Sequence, residues 1–188
     1  MFTISYAVYL FVLVTVIALL EIQIEGKDGW AKNLPCWRPS SKSFVAKIYA
    51  MFMNGKELTG YHAAIFPLPL LILHFPFVAG TSWTLVKELE TFSMYFLMSV
   101  VWDFLWFVWN PAYGLKKFKS EFIPWHKKWW GPVPTDYPNG FIVSVAIVLV
   151  ARIIGGISVS VEWLTILVVF ICLTLLSCLI SNLVIKRS

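Results

Sequence analysis

Apolar residues in this chain do not alternate with polar ones at a strand period. They gather into long runs, separated by two segments rich in lysine and aromatic residues and by short turns. A helix crossing the hydrocarbon core of a bilayer needs about 20 mostly apolar residues, because the core is about 30 Å thick and a helix rises ~1.5 Å per residue. Five runs reach that length, at about 3–21, 61–80, 91–110, 140–158 and 163–185. The pattern predicts an all-α fold, a polytopic membrane helix bundle of about five transmembrane helices with short interfacial helices, forming a single transmembrane domain over 1–188. The second run carries Pro67, Pro69 and Pro76, which predicts a kinked or partly unwound span whose freed carbonyls are satisfied by neighbouring helices. The first run has no basic flank before it and no small-residue cleavage site before Glu21, so it reads as a retained helix rather than a signal peptide.

The two long connections are not plain linkers. Within 22–60, the stretch 43–54 spaces Phe44, Ile48, Met51 and Phe52 at helical intervals, which predicts a short amphipathic helix lying at the membrane interface. In 111–139, lysines alternate with Phe118, Phe122, Trp125, Trp129 and Trp130. Rings of this kind settle among lipid headgroups while the lysines reach for phosphates. The prolines of this segment predict a stiff cover over the membrane face.

Composition agrees with the pattern. The chain of 188 residues is 59% hydrophobic and 13% charged, against about 25% charged in a soluble domain. The net charge of +5 is mainly a topology signal. Loop 22–60 holds Lys27, Lys32, Arg38, Lys42, Lys47 and Lys56; loop 111–139 holds Lys116, Lys117, Lys119, Lys127 and Lys128; the tail adds Lys186 and Arg187. An odd number of spans puts all three on one side. By the positive-inside rule that side is cytoplasmic, with the N-terminus outside and the C-terminus inside. Basic residues in short loops beside apolar spans do not make a nucleic-acid surface; membrane lipids are the expected partners. Cys36, Cys172 and Cys178 have no metal-ligand spacing and read as small apolar fillers.

Polar residues within or beside the spans are costly and therefore informative. Asp103 lies inside the third run; Asn110, seven residues on, falls within about 20° of it on a helix. Trp102, Trp106 and Trp109 stand beside that polar strip, an arrangement suited to a pocket for an amphiphile with a polar head. Arg152, in the fourth run, is the expected partner of Asp103, or a ligand for phosphate. Ala151 and Gly155 predict close helix packing. Glu21 and Glu25 stand four apart at the end of the first helix, against both like-charge repulsion and the helix dipole, which invites a cation there. His62 and His126 lie on the same face; His74 is deeper and reads as an interhelical hydrogen bonder, while Glu88, Glu90 and Glu162 read as solvated on the far side.

These residues define a candidate site. Asp103, His62, His126 and Glu25 are the candidate catalytic groups; Asn110, Trp106, Arg152, Lys127 and Lys128 are candidate substrate contacts; Glu21, Glu25 and His62 are candidate ligands for a divalent metal, with the mixed carboxylate and imidazole donors that suit zinc or non-haem iron. The signal is compositional, since no HExxH or paired ExxH motif, phosphate loop or GxSxG elbow is present. Three function classes follow. The favoured one is a membrane-embedded enzyme acting on a lipid or isoprenoid-like substrate at the cytoplasmic face. The second is a small transporter or channel, which at this length would work as a homo-oligomer with a wet path joining His74 to Asp103. The third is a non-catalytic membrane partner that docks through its aromatic loops.

Overall fold

The computed structural model describes residues 4–185. The basic tail residues Lys186 and Arg187, and the start of the first expected span, lie outside the described residues. The described residues form an all-α bundle with seven α-helices: α1 Ile4–Glu25, α2 Phe44–Phe52, α3 Gly60–Ile65, α4 Pro67–Val78, α5 Leu85–Trp109, α6 Asp136–Gly155 and α7 Ile157–Val184. Helices α1, α5, α6 and α7, and α3 with α4 taken as one broken rod, are each long and apolar enough to cross a membrane. A two-stranded antiparallel ribbon, β1 Trp129–Trp130 with β2 Val133–Pro134, folds the tip of the second long connection back on itself.

The broken second span follows from proline chemistry. Pro67 opens α4 at a position where the missing N–H costs nothing, and Phe66, which joins α3 to α4, keeps a right-handed helical backbone (φ −67°, ψ −40°). Pro76 lies in the last turn, where a helix is already ending. The amphipathic segment is also helical. Ser43 caps it, its Oγ accepting from the Ala46 N–H at 3.3 Å, and Phe44, Met51 and Phe52 point outward.

Helix ends differ from the hydropathy pattern in ways that matter for the site. α1 continues through Glu21 to Glu25, so both acids are helical. α5 begins at Leu85, capped by Thr84, because its charged first turn is held by hydrogen bonds rather than by lipid. α6 begins at Asp136 and not near 140, which brings Asp136 and Tyr137 onto the helix. The α6–α7 turn is Gly156 alone, with φ +87° and ψ −176°, a conformation open essentially only to glycine.

α5 occupies the centre and packs against α1, α4, α6 and α7. Its seam with α6 is built from small polar residues. Ser93 and Ser144 exchange hydroxyl-to-carbonyl bonds at 2.8 Å in both directions, and the Trp163 indole donates to Ser144 Oγ at 3.1 Å. Gly140 lies on the same seam; a β-carbon there would come within 2.8 Å of a Val100 methyl. The Ala151/Gly155 pair also does what its size suggests: Ala151 is buried, and a β-carbon on Gly155 would meet Val86 at 2.8 Å. That contact fixes Arg152 and the start of α5 at the same end of the bundle.

Candidate functional site

The site begins where α1 ends. Glu21 and Glu25 stand one turn apart, Gly26 (φ +68°) closes the helix, and the chain doubles back through Trp30 and Ala31. Both of these non-glycine residues have positive φ, 46° and 51°, which side chains adopt rarely and only where the surroundings impose it. The surroundings here are specific. The Ala31 N–H donates to Glu25 Oε1 at 2.5 Å, Arg38 donates to the Ala31 carbonyl at 2.5 Å, and the Trp30 indole donates to the Glu57 carbonyl at 2.8 Å. The outcome is that the Trp30 ring lies flat on His62, with centroids 3.9 Å apart.

His62 belongs to the first turn of α3. The Thr59 hydroxyl caps that helix by accepting from the His62 N–H at 3.2 Å, and the same oxygen sits 2.7 Å from His62 Nδ1. Nε2 is thereby turned toward Glu25 Oε1, 3.5 Å away. From the other side the Trp102 indole donates to Glu21 Oε2 at 2.9 Å. One ligand atom from each of Glu21, Glu25 and His62 lies within 4.8 Å of the other two, and all three side chains are buried.

A second cluster faces the first. On α5, Asp103 Oδ2 accepts from the Tyr137 hydroxyl at 2.6 Å and lies 3.3 Å from His126 Nε2. The other ring nitrogen of His126, Nδ1, is 2.9 Å from Asp136 Oδ2. Asp136 is further held by Lys56 Nζ at 2.7 Å and by the Asn54 amide. The Lys56 ammonium also rests 4.5 Å above the Trp30 ring, so this lysine ties the second cluster to the indole that covers His62. Burial alone would lower the pKa of His126, but the Asp103 and Asp136 carboxylates on its two nitrogens outweigh it, and the imidazole titrates above its ordinary range. Nε2 is close to Asp103 but poorly aligned, and it makes no hydrogen bond.

Both clusters line one cavity of about 500 Å³. Its polar end carries Glu21, Glu25, Lys56, His62, Asp103, His126 and Asp136; its apolar wall is made of Phe52, Phe66, Phe96, Val100 and Val143. Phe52 is 75% exposed and Val143 is also exposed, so the apolar side leads to the outer surface of the bundle, the surface that faces lipid if the helices span a membrane. The polar end holds four carboxylates against one ammonium and two imidazoles. A buried excess of negative charge is stable only when matched by a cation or by protons.

Of the candidate site residues, Glu21, Glu25, His62, Asp103, Trp106 and His126 line this cavity. Asn110 does not: its amide donates to the Gly26 carbonyl at 2.9 Å and its oxygen accepts from the Ala112 N–H at 3.0 Å, pinning the α5 end to the first loop. Lys127 donates to the Gly55 carbonyl at 2.5 Å, Lys128 is exposed, and neither lines the cavity. Arg152 is exposed near the far end of α6, roughly 22 Å along the helix from Tyr137 at ~1.5 Å per residue. The expected Asp103–Arg152 pair therefore does not form, because α6 starts earlier and Tyr137, not Arg152, comes level with Asp103. At that far end His74 Nε2 lies 3.1 Å from Glu88 Oε1, linking α4 to α5 as an interhelical bond. Glu88, expected to be solvated, is the partner of both His74 and Trp83.

Lys56, Asp136, Tyr137, Trp30 and Thr59 were not singled out in the sequence. Asp136 and Tyr137 had a readable signal, since an acid and Pro138 after Thr135 mark a helix start. Lys56 had none; it looks like any other loop lysine. No protein-family model matches the chain, and neither a curated protein nor a solved structure matches it.

Proposed function

We propose that this chain is a membrane-embedded enzyme acting on an amphiphilic lipid or isoprenoid-like substrate, with the polar head in the acid- and imidazole-lined end of the cavity and the hydrocarbon chain along the apolar wall. One observation carries the reading. A single cavity joins titratable groups from α1, α3, α5, α6 and both long loops to a phenylalanine and valine wall that opens sideways. Catalysis by proton transfer needs groups of this kind within about 3 Å of the reacting atom and shielded from bulk water. His126 has a nitrogen 3.3 Å from Asp103 that makes no hydrogen bond, and His62 is fixed by Thr59 with its second nitrogen toward Glu25. Each pair is a candidate acid–base couple.

The same reading assigns membrane lipids as partners and places the loop-bearing face in the cytoplasm, on the strength of its lysines. It changes one sequence expectation. Arg152, Lys127 and Lys128 do not reach the cavity, so recognition of the head falls to Lys56, Trp106 and the acids, which favours a neutral or cationic head over a multiply charged anion. A transport route through His74 gains no support, because His74 bonds Glu88 near the opposite end.

The test uses the full chain in lipid nanodiscs, incubated with a total membrane lipid extract and followed by mass spectrometry. The wild-type protein should deplete one lipid species and generate a product; Asp103→Asn and His126→Gln should retain that lipid without converting it. A wild-type protein that neither retains nor converts any lipid would remove the reading.

A further inference from the structure

We infer that Glu21, Glu25 and His62 form a binding site for one divalent transition-metal cation. This inference stands on local geometry and does not depend on the lipid reading.

The spacing comes first. His62 Nε2 and Glu25 Oε1 are 3.5 Å apart, too far for a good hydrogen bond. It is the separation of two donors sharing an ion: ligand atoms about 2.1 Å from one tetrahedral ion stand about 3.4 Å from each other. A Glu21 oxygen completes a triangle in which every donor lies within 4.8 Å of the others, a spread that small side-chain rotations close.

The surroundings of the donors are those of a metal centre. Metal-bound imidazoles are oriented by a partner on the second nitrogen, and metal-bound carboxylates by hydrogen bonds of their own. Here Thr59 Oγ1 sits on His62 Nδ1 at 2.7 Å, the Trp102 indole holds Glu21 at 2.9 Å, and the Ala31 N–H holds Glu25 at 2.5 Å. None of these three partners is itself a competing ligand. The Trp30 ring covers one face of the imidazole, and the backbone strain at Trp30 and Ala31 is borne where it sets both that cover and the Glu25 contact.

A separate observation points to a ligand in the same cavity. Trp106 lines it, is only 3% exposed, and has an indole N–H with no acceptor. A buried donor of this kind calls for an oxygen, which a metal-held water or a substrate oxygen would supply. Two carboxylates and one imidazole suit Zn²⁺, Fe²⁺ or Mn²⁺; Ca²⁺ prefers six to eight oxygens. Three protein donors leave a coordination position open to the cavity, as in catalytic rather than structural sites.

The experiment is equilibrium dialysis of the full chain, without an affinity tag, against Zn²⁺ and Mn²⁺, with elemental analysis and thermal unfolding. The wild type should bind about one equivalent of at least one of these metals and melt at a higher temperature with it, since a ligand specific to the folded state raises the midpoint. Glu21→Gln/Glu25→Gln should fall to background, and Asp103→Asn should keep the metal. Trp102→Phe, which retains the ring but not the donor, should weaken affinity about 10–100-fold, and keeps the inference testable if the double variant does not fold. Three outcomes would overturn it: no uptake and no thermal shift in the wild type, unchanged uptake in the double variant, or a loss in Asp103→Asn as complete as in the double variant.

Discussion

At the scale of single residues, the site works by over-determination. His126 is held between Asp103 and Asp136, Asp136 is also held by Lys56 and Asn54, and Asp103 is also held by Tyr137. Removing one member leaves a buried charge without its partner, which is where buried ion pairs are most sensitive. Titration of His126 gives a direct readout. Its pKa is raised in the folded protein, from about 6.5 for an unperturbed imidazole, so the folded state binds the proton more tightly than the unfolded chain. That contribution to stability is complete below the unfolded pKa and is lost as pH rises through the folded one. The charged and titratable groups facing this ring are Asp103, Asp136, Lys56 and Tyr137. We expect the melting temperature of the wild type, compared with that of His126→Gln, to fall as pH is raised from 6 through the folded pKa. A difference that is flat in pH, measured by circular dichroism in one detergent, would show that folding leaves the titration of the ring unshifted.

At the scale of elements, the functional geometry depends on where helices end. Existence and type of the five long helices are legible from run length alone, because the requirement to cross about 30 Å leaves little freedom. Their ends are less legible, because the last turns carry charged residues that hydropathy assigns to loops. Asp136 is the clearest case: it lies before an apolar run and is helical because a hydrogen-bond network receives it, whereas the sequence already places Glu25 at the end of the first helix. At the opposite end of α6, Gly156 makes the whole connection to α7 with φ +87°. Gly156→Ala should cost about 1–3 kcal/mol, the usual penalty for a side chain in that region. The loss should appear as a lower melting temperature. Because Gly156 lies about 30 Å along α6 from Asp136 at ~1.5 Å per residue, metal uptake and lipid retention should be unchanged under conditions where the variant is folded. A variant as stable as the wild type would mean that this turn is free to choose another conformation.

At the scale of the whole molecule, five helices able to cross a membrane bring the C-terminal ends of α1 and α5, the N-terminal ends of α3 and α6, and both long loops to one face. That gathering is why residues as far apart as Glu21 and Asp136 share a cavity. The sequence could place Glu25, His62, Asp103 and His126 on one face by counting spans, but not in one pocket, since that depends on the turn through Trp30 and Ala31 and on the level at which Tyr137 meets Asp103. The face itself is open to a direct measurement. Cys36 lies in the first long loop and is partly exposed, whereas Ser82 is exposed in the short turn between α4 and α5, at the other end of the bundle. The loop-bearing face has the lysines of both loops, against Lys87 and Arg152 opposite, and the proposed cytoplasmic orientation rests on that charge difference. In intact cells, a membrane-impermeant maleimide should therefore leave Cys36 unmodified and label a Ser82→Cys variant in a Cys36→Ser background; in inverted membrane vesicles the pattern should reverse. Labelling of both positions from one side would break the five-span topology. Labelling of Cys36 alone in intact cells would keep the topology but turn the cavity outward, so that the proposed substrate would have to come from the outer leaflet.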